Sequence, residues 1–484
     1  MSEKSTIFKN SAVLAVISLI SKSLGYARDA LFAWFFGASA ATDAYYSALR
    51  IITFFRKTAA EGNLNAALAF SVFSEANKEN SKALYASAAA FIGFIFCAFI
   101  VAAYLLYFLL FPPVRKDFSD SFLFILAIMS PQIIFILLFS VWQVFLNSKG
   151  IFAYPALIHL FFSSSVIFSI LMFKNKEITT ACYLAASAGT ISSFIQFFLF
   201  SYILKKNGET PRISFNLSLE YIKKTAVSFF SLIPSNYDYF IFTITMFFSS
   251  FEQAGALTAV YNASRLAQFP LSLSSSPAAA AAACEIAEHS SKGNIKERNK
   301  SALKALKISF LWTIPAAMGL MIMAEPISSF LFKRGAYEQK DIAITVLYLK
   351  IFASALPFIS ADKILISYFY ACGKSRKAFA FLASSLLLIS AAAFLFSNTR
   401  AISAYASLAV STAGFFAVFL DKKEFIFEES SELFIFCLKS CLLSAAACFL
   451  AEYSLKFGAH ILISVLLAAI LYAFFSKIFL KEKK

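Results

Sequence analysis

Charged residues are scarce in this sequence. They fill 14% of its 484 positions, against about 25% in soluble domains. Apolar residues fill 60% and aromatic ones 17%, with 60 Phe. Because the excess runs the whole length, at mean hydropathy +0.74, the shortage of charge excludes a soluble enzyme held by one anchoring helix. Histidine is scarcer still, and His159, His289 and His460 have no partner at metal-ligand spacing. The seven cysteines contain no Cys-x-x-Cys pair. Cys437, Cys441 and Cys448 share one helical face and read as packing sulfur, the usual fate of a free cysteine in an apolar stretch. No phosphate-binding glycine loop or nucleotide fold is visible. The expectation is therefore no catalytic residue, no metal, no cofactor and no ATP site, so that any transport draws on an ion gradient, the membrane potential or substrate supply.

What is present is a series of apolar stretches, each near the twenty or so residues that a helix needs to cross a bilayer. They fall at about 5–35, 42–73, 84–111, 121–147, 153–173, 179–203, 222–248, 254–285, 303–332, 342–371, 377–397, 400–420, 432–453 and 457–480. The first has the flanks of a secretory signal, with Lys4 and Lys9 ahead of it and Ala38-Ser39-Ala40 behind. Lys22, Arg28 and Asp29 interrupt it, so it reads as a true first span. The expected fold is an all-α polytopic membrane protein with about fourteen transmembrane helices.

The remaining charge is lopsided, with 43 Lys and Arg against 27 Asp and Glu, a formal +16. In a soluble chain that excess would suggest nucleic acid; in a membrane protein topology comes first. Roughly 25 basic residues fall on the side of the termini and 9 on the other, which by the positive-inside rule puts both ends in the cytoplasm. The last nine lie within spans: Lys22, Arg28, Arg50, Arg56, Lys57, Arg265, Lys350, Lys363 and Lys439.

Six of those nine sit on the first, second and eighth helices, at similar depth. Lys22 and Arg28 are about 20 and 10 Å below the outer end of helix one, Arg50 and Arg56 about 12 and 21 Å down helix two, and Arg265 about 17 Å down helix eight. An intramembrane charge costs at least about 2.5 kcal/mol unless it lines an aqueous cavity or is paired. Asp43, Arg50, Lys57 and Glu61 follow at intervals of seven, seven and four residues and share one stripe of helix two. Pairing accounts for part of the cluster, Lys57 with Glu61 and Arg28 beside Asp29. The six cations face only Asp29, Asp43 and Glu61 on these helices, so the set points to an anion-binding cavity. Arginine at several positions favours a bidentate ligand such as phosphate.

An internal repeat supplies the organisation. Tyr46-x-Ala48-x-Arg50-Ile51-x-x-Phe54 on helix two returns about 215 residues later as Tyr261-x-Ala263-x-Arg265-Leu266-x-x-Phe269 on helix eight. Phe145-Leu-Asn-Ser-Lys-Gly150 after helix four has a weaker echo in Phe369-Tyr-Ala-Cys-Gly373 after helix ten. An offset of six helices is even, so the repeats are parallel. The expected domains are an N-lobe of helices 1–6 (1–204), a basic cytoplasmic linker (205–221), a C-lobe of helices 7–12 (222–420) and two C-terminal helices (421–484). Two parallel six-helix lobes around a central cavity suit alternating access.

Three segments resemble one family closely: Ser21-Lys-Ser-Leu-Gly25-Tyr-Ala-Arg28-Asp29, Phe36-Gly37-Ala-Ser-Ala-Ala-Thr42-Asp43 and Arg56-Lys57-Thr-Ala-Ala-Glu61-Gly62. They are similar to the signatures of the lipid II flippases, the MurJ or MviN family of the multidrug/oligosaccharidyl-lipid/polysaccharide (MOP) superfamily. Leu331-Phe-Lys-Arg334-Gly335-Ala-Tyr337, Phe369-Tyr-Ala-Cys-Gly373-Lys-Ser-Arg376 and Arg265-Leu-Ala-Gln-Phe-Pro270 resemble its later signatures. The resemblance implies fourteen helices and outward movement of lipid II, the undecaprenyl-pyrophosphate-linked disaccharide-pentapeptide of peptidoglycan synthesis, across the bacterial inner membrane. It implies lipid II and membrane lipid as partners and no nucleic acid.

By matching position the family's functional basic residues fall on Arg28, Arg56 and Arg265, its acid on Asp43, and its helix-two stripe on Arg50 and Glu61. Lys22 stands where the family usually has Arg, keeping the charge without the fork. The candidate substrate-binding set is Lys22, Arg28, Asp29, Asp43, Arg50, Arg56, Lys57, Glu61 and Arg265. A coupling cation, implied for some relatives, has one candidate ligand in Asp238; helices eleven and twelve add no carboxylate before Asp421. Two alternatives stand beside this reading, an exporter of another lipid-linked oligosaccharide or of drugs with the same fold, and a membrane-embedded enzyme on lipid-linked sugars. A basic cavity repels cationic drugs, and the sequence offers no acid or histidine cluster for the enzyme.

Overall fold

The computed structural model of the chain describes residues 2–59, 81–110, 116–148, 151, 158–208, 218–231, 233–396, 401–419, 430–456 and 460–479. Among these the regular structure is helical, without strands. The expected spans meet, in order, α1 (Ser2–Phe36), α2 (Ala40–Ala59), α3 (Ser81–Leu110), α4 (Lys116–Met129) with α5 (Pro131–Ser148), α6 (Ile158–Phe173), α7 (Ile178–Lys206), and α8 (Leu219–Ser231) with α9 (Tyr237–Ser249). There follow α10 (Ala256–Leu273) with α11 (Ser275–Ser291), α12 (Ile295–Ile322) with α13 (Ala324–Phe332), α14 (Gln339–Ala371), α15 (Ser375–Leu395), α16 (Ile402–Phe419), α17 (Ser430–Lys456) and α18 (Ile461–Phe479). The second span beyond Ala59, Lys149-Gly150 of the weaker echo, and most of the basic stretch 205–221 lie outside the described residues.

Among the described residues, 7 helical segments are long and apolar enough to cross a membrane by length and composition, and three shorter apolar helices lie at Leu160–Phe173, Ile402–Phe415 and Ile463–Phe474. The other four expected spans are α1, α2, α8 with α9, and α10 with α11; three of these four carry six of the nine basic residues placed within spans. Large apolar side chains point outward along the spans, among them Phe99 on α3, Phe168 on α6, Leu387 and Phe394 on α15, and Leu442 and Phe449 on α17. Apolar surface on this scale marks contact with lipid.

The described chain clusters into two units. The first holds residues up to Ile233 together with Arg334–Tyr337; the second holds Pro234–Lys333 and Glu338–Lys484. The seam falls inside the expected seventh span, at a one-turn 3-10 helix, Ile233–Asn236. Pro234 has no N–H to donate to a helical ladder, so a continuous helix is interrupted there.

In unit 1, α2 packs on α4, α5 and α7, while α6 packs on α1 and α7. A cluster of Phe32, Phe36, Tyr45 and Tyr46 joins α1 to α2, with ring centroids 4.6 to 5.4 Å apart. The fourth span is broken at Ser130-Pro131. Pro131 cannot bond the Ala127 carbonyl, which accepts instead from Ser130 Oγ at 2.9 Å, and the next carbonyl, Ile128 O, accepts from Thr190 Oγ1 at 2.9 Å. The break thereby ties α4 to α7. Gly37 and Gly335 occupy left-handed conformations at φ +62° and +58°, where a side chain is strained. The Ala336 N–H donates to Trp34 O at 2.9 Å, and a Cβ on Gly37 would lie 2.4 Å from Ala336 O. Two of the quoted family-like segments meet here, and backbone approach is the reason each carries glycine.

In unit 2, α14 packs on α10, α11, α12 and α16, and α17 packs on α12 and α18. Glu252, after α9, accepts from the Tyr348 hydroxyl of α14 and from the Ala401 N–H at 3.1 Å, just ahead of α16. Gly373 ends α14 at φ +72°, with the Lys374 N–H returning to Phe369 O at 2.8 Å. Cys448 of α17 is buried, and its Sγ lies 3.7 Å from where a Cβ on Gly319 would stand, in keeping with a packing role.

Candidate functional site

Helix α2 begins at a polar cap. The Ser39 N–H donates to Thr42 Oγ1 at 2.8 Å, and that hydroxyl donates back to Ser39 O at 3.0 Å, satisfying groups that a helix start leaves open. Asp43 follows in the first turn, where the helix dipole favours an anion. Asp43 and Arg50 are buried and Lys57 is half-buried on the same stripe. Glu61, expected as the last member, lies outside the described residues.

On α1, Arg28 and Asp29 are 6% and 1% exposed. Neighbours in a helix do not face one another, yet the long arginine folds back: Nε and Nη2 both donate to Asp29 Oδ1, at 2.9 and 2.6 Å. The expected pair exists, and one carboxylate oxygen receives both bonds. Lys22 is half-buried two turns earlier.

Arg56, near the end of α2, is 9% exposed. Its guanidinium carbon stands 4.2 Å from the ring centroid of Phe162 on α6, and that of Arg28 stands 5.5 Å from the same centroid. The two guanidiniums are thus within about 10 Å of each other, both in reach of attraction to the ring's negative face. Phe162 is buried, and Gly189 on α7 leaves it room: a Cβ there would lie 2.8 Å from Phe162 Cε2. Between residues 22 and 57 the chain carries five basic side chains and two carboxylates, most of them enclosed. Such an interior suits a multivalent anion with acceptor oxygens on several sides.

Arg265 is half-buried on α10 of unit 2. Its motif begins between one and two turns into the helix, as the matching motif does in α2. Elsewhere in unit 2, Lys363 of α14 lies 3.1 Å from Asp238 of α9. The carboxylate expected as a cation ligand thus has an ammonium of the chain against it. Asp362, next along α14, is wholly buried, with the hydroxyls of Tyr237 on α9 and Ser411 on α16 as its neighbours.

Sequence reasoning missed Phe162, Gly189 and the Asp238–Lys363 pair. The pair was legible only as two charges in two spans, 125 residues apart, and Phe162 carried no signal that set it apart from the other phenylalanines.

A helical chain with repeated spans, lipid-facing apolar surface and an enclosed basic cluster is a polytopic membrane protein of the transporter class. A family profile described as lipid II flippase MurJ matches residues 32–471, and the chain belongs to that family. It is 26% identical over 382 residues to the probable lipid II flippase MurJ of Aquifex aeolicus, covering 75% of this chain and 72% of that protein. It is 28% identical over 375 residues to the protein of the same description from Buchnera aphidicola subsp. Acyrthosiphon pisum, covering 74% and 72%. A solved structure of a lipid II flippase MurJ in an inward closed conformation superposes with TM-score 0.78 at 23% identity, covering 97% of this chain and 98% of that one. An inward-facing multidrug resistance MATE transporter of the MOP superfamily follows at TM-score 0.64 and 14% identity, covering 84% and 96%. These two likenesses establish the fold.

Proposed function

We propose that this chain moves lipid II from the inner to the outer leaflet of the bacterial inner membrane by alternating access, with both termini in the cytoplasm. The observation that carries the reading is the convergence of Arg28 and Arg56 from two helices onto one buried ring, in a chain of the lipid II flippase family. The pyrophosphate of lipid II is a multivalent anion, and the enclosed guanidiniums supply directed donors for it. Like charges held together away from water repel one another. Binding of the pyrophosphate cancels that repulsion, so the empty and loaded states differ in the conformation they favour. Asp29 and Asp43 orient the cations and limit the net charge, Arg50 and Lys57 extend the basic stripe along α2, and Lys22 lies deeper on α1. Glu61 joins the set through its matching motif, and Arg265 carries the corresponding motif in unit 2. The prenyl tail stays in lipid. The chain acts as a transporter without covalent chemistry or bound nucleotide, and any drive comes from an ion gradient, the membrane potential or substrate supply.

Expression of this chain in a bacterium depleted of its own lipid II flippase tests the proposal. Growth should return and lipid II should become accessible at the outer leaflet. Continued lysis with the protein present in the membrane would overturn the assignment. A normal wall with loss of a different surface glycan, on depletion of this chain in its own host, would move the cargo to another lipid-linked sugar.

A further inference from the structure

We propose that Phe162 is a positioning residue of the anion site: its ring holds the guanidiniums of Arg28 and Arg56 at a set spacing for the ligand's phosphate oxygens. The inference deepens the proposed function and rests on it.

Three observations converge on this ring. It is the common neighbour of two arginines carried by different helices, at 4.2 and 5.5 Å from its centroid. It is buried in a helix, Ile158–Phe173, that itself carries no formal charge. Its place depends on Gly189, where a Cβ would intrude to 2.8 Å. Cations shed part of their hydration when enclosed, and an aromatic face returns some of that attraction without using a hydrogen-bond donor. An aliphatic side chain would fill the same volume and offer the guanidiniums no such attraction. A carboxylate takes up N–H donors, as Asp29 takes two from Arg28, whereas a ring face engages the flat side of a guanidinium and takes up none of them. The ring thus orders two cations and still lets them bind.

The test replaces Phe162 with phenylalanines of increasing fluorination, which drain electron density from the face while nearly keeping the ring's shape, and measures the affinity of the purified chain for lipid II. Affinity should fall stepwise, to about tenfold weaker at the most fluorinated member, with Phe162→Leu at least as weak. Unchanged affinity across the fluorinated series, with Phe162→Leu impaired, would show that the ring only fills space and would overturn the proposal. Failure of the unsubstituted protein to bind lipid II would overturn the functional reading and this inference with it, so the two failures are distinguishable.

Discussion

Arg56→Ala is expected to abolish rescue of a flippase-depleted bacterium while the protein accumulates to normal levels. Arg56 sits in the last turn of the described part of α2, enclosed against Phe162. Removing it takes away a charge that costs about 2.5–3.5 kcal/mol to place in a membrane, which offsets the loss of its contacts, that with Phe162 included. The binding loss is larger. A charge-assisted hydrogen bond to phosphate contributes about 1.5–3 kcal/mol, and two such bonds from one fork give an affinity loss of a hundredfold or more. Arg56→Lys should fall between, since it keeps the charge and loses the fork. Growth rescue scored beside membrane protein abundance checks the result; full rescue by Arg56→Ala would remove this residue from the site.

Asp29→Ala is expected to act differently, through folding. Asp29 is 1% exposed and receives two hydrogen bonds from Arg28. Breaking a buried pair from one side leaves an enclosed charge and costs about 3–5 kcal/mol, a large part of the 5–15 kcal/mol that holds a typical domain together. The variant should reach the membrane in much reduced amount and unfold at lower temperature in detergent. The double variant Arg28→Met, Asp29→Leu removes both charges and should recover much of the stability, yet fail to support growth because Arg28 is gone. Growth of the double variant would reduce the pair to a structural role.

The contrast between these variants shows what the sequence made legible. Positions of the helices were readable because apolar run length is set by bilayer thickness, and α14 and α7 needed no other information. The charges on α1 and α2 were readable because an ionised side chain in a span demands an explanation. Asp29 beside Arg28 was visible as adjacency, although helical geometry alone places neighbours on different faces. Partners brought together by the fold were not readable. Asp238, expected as a cation ligand, has Lys363 of another helix against it at 3.1 Å, and nothing local to either residue announces the other. Phe162 was hidden by composition, since one phenylalanine among 60 carries no mark; its role comes from the two arginines that reach it. The break at Ser130-Pro131 lay within an apolar run that read as one span. Proline permits such a break, but the Thr190 hydroxyl that completes it arrives from α7.

In the proposed function the basic interior of unit 1 recognises the pyrophosphate linkage of a lipid-anchored sugar, and the chain carries that lipid across the bilayer. The most direct measurement reconstitutes the purified chain in liposomes holding fluorescent lipid II and follows loss of signal to an impermeant quencher, beside an analogue bearing the same sugar-peptide on a neutral linkage. The chain is expected to expose inner-leaflet lipid II to the quencher and to leave the neutral analogue protected. Equal movement of both lipids, or none of either by protein that is folded in the bilayer, would contradict it.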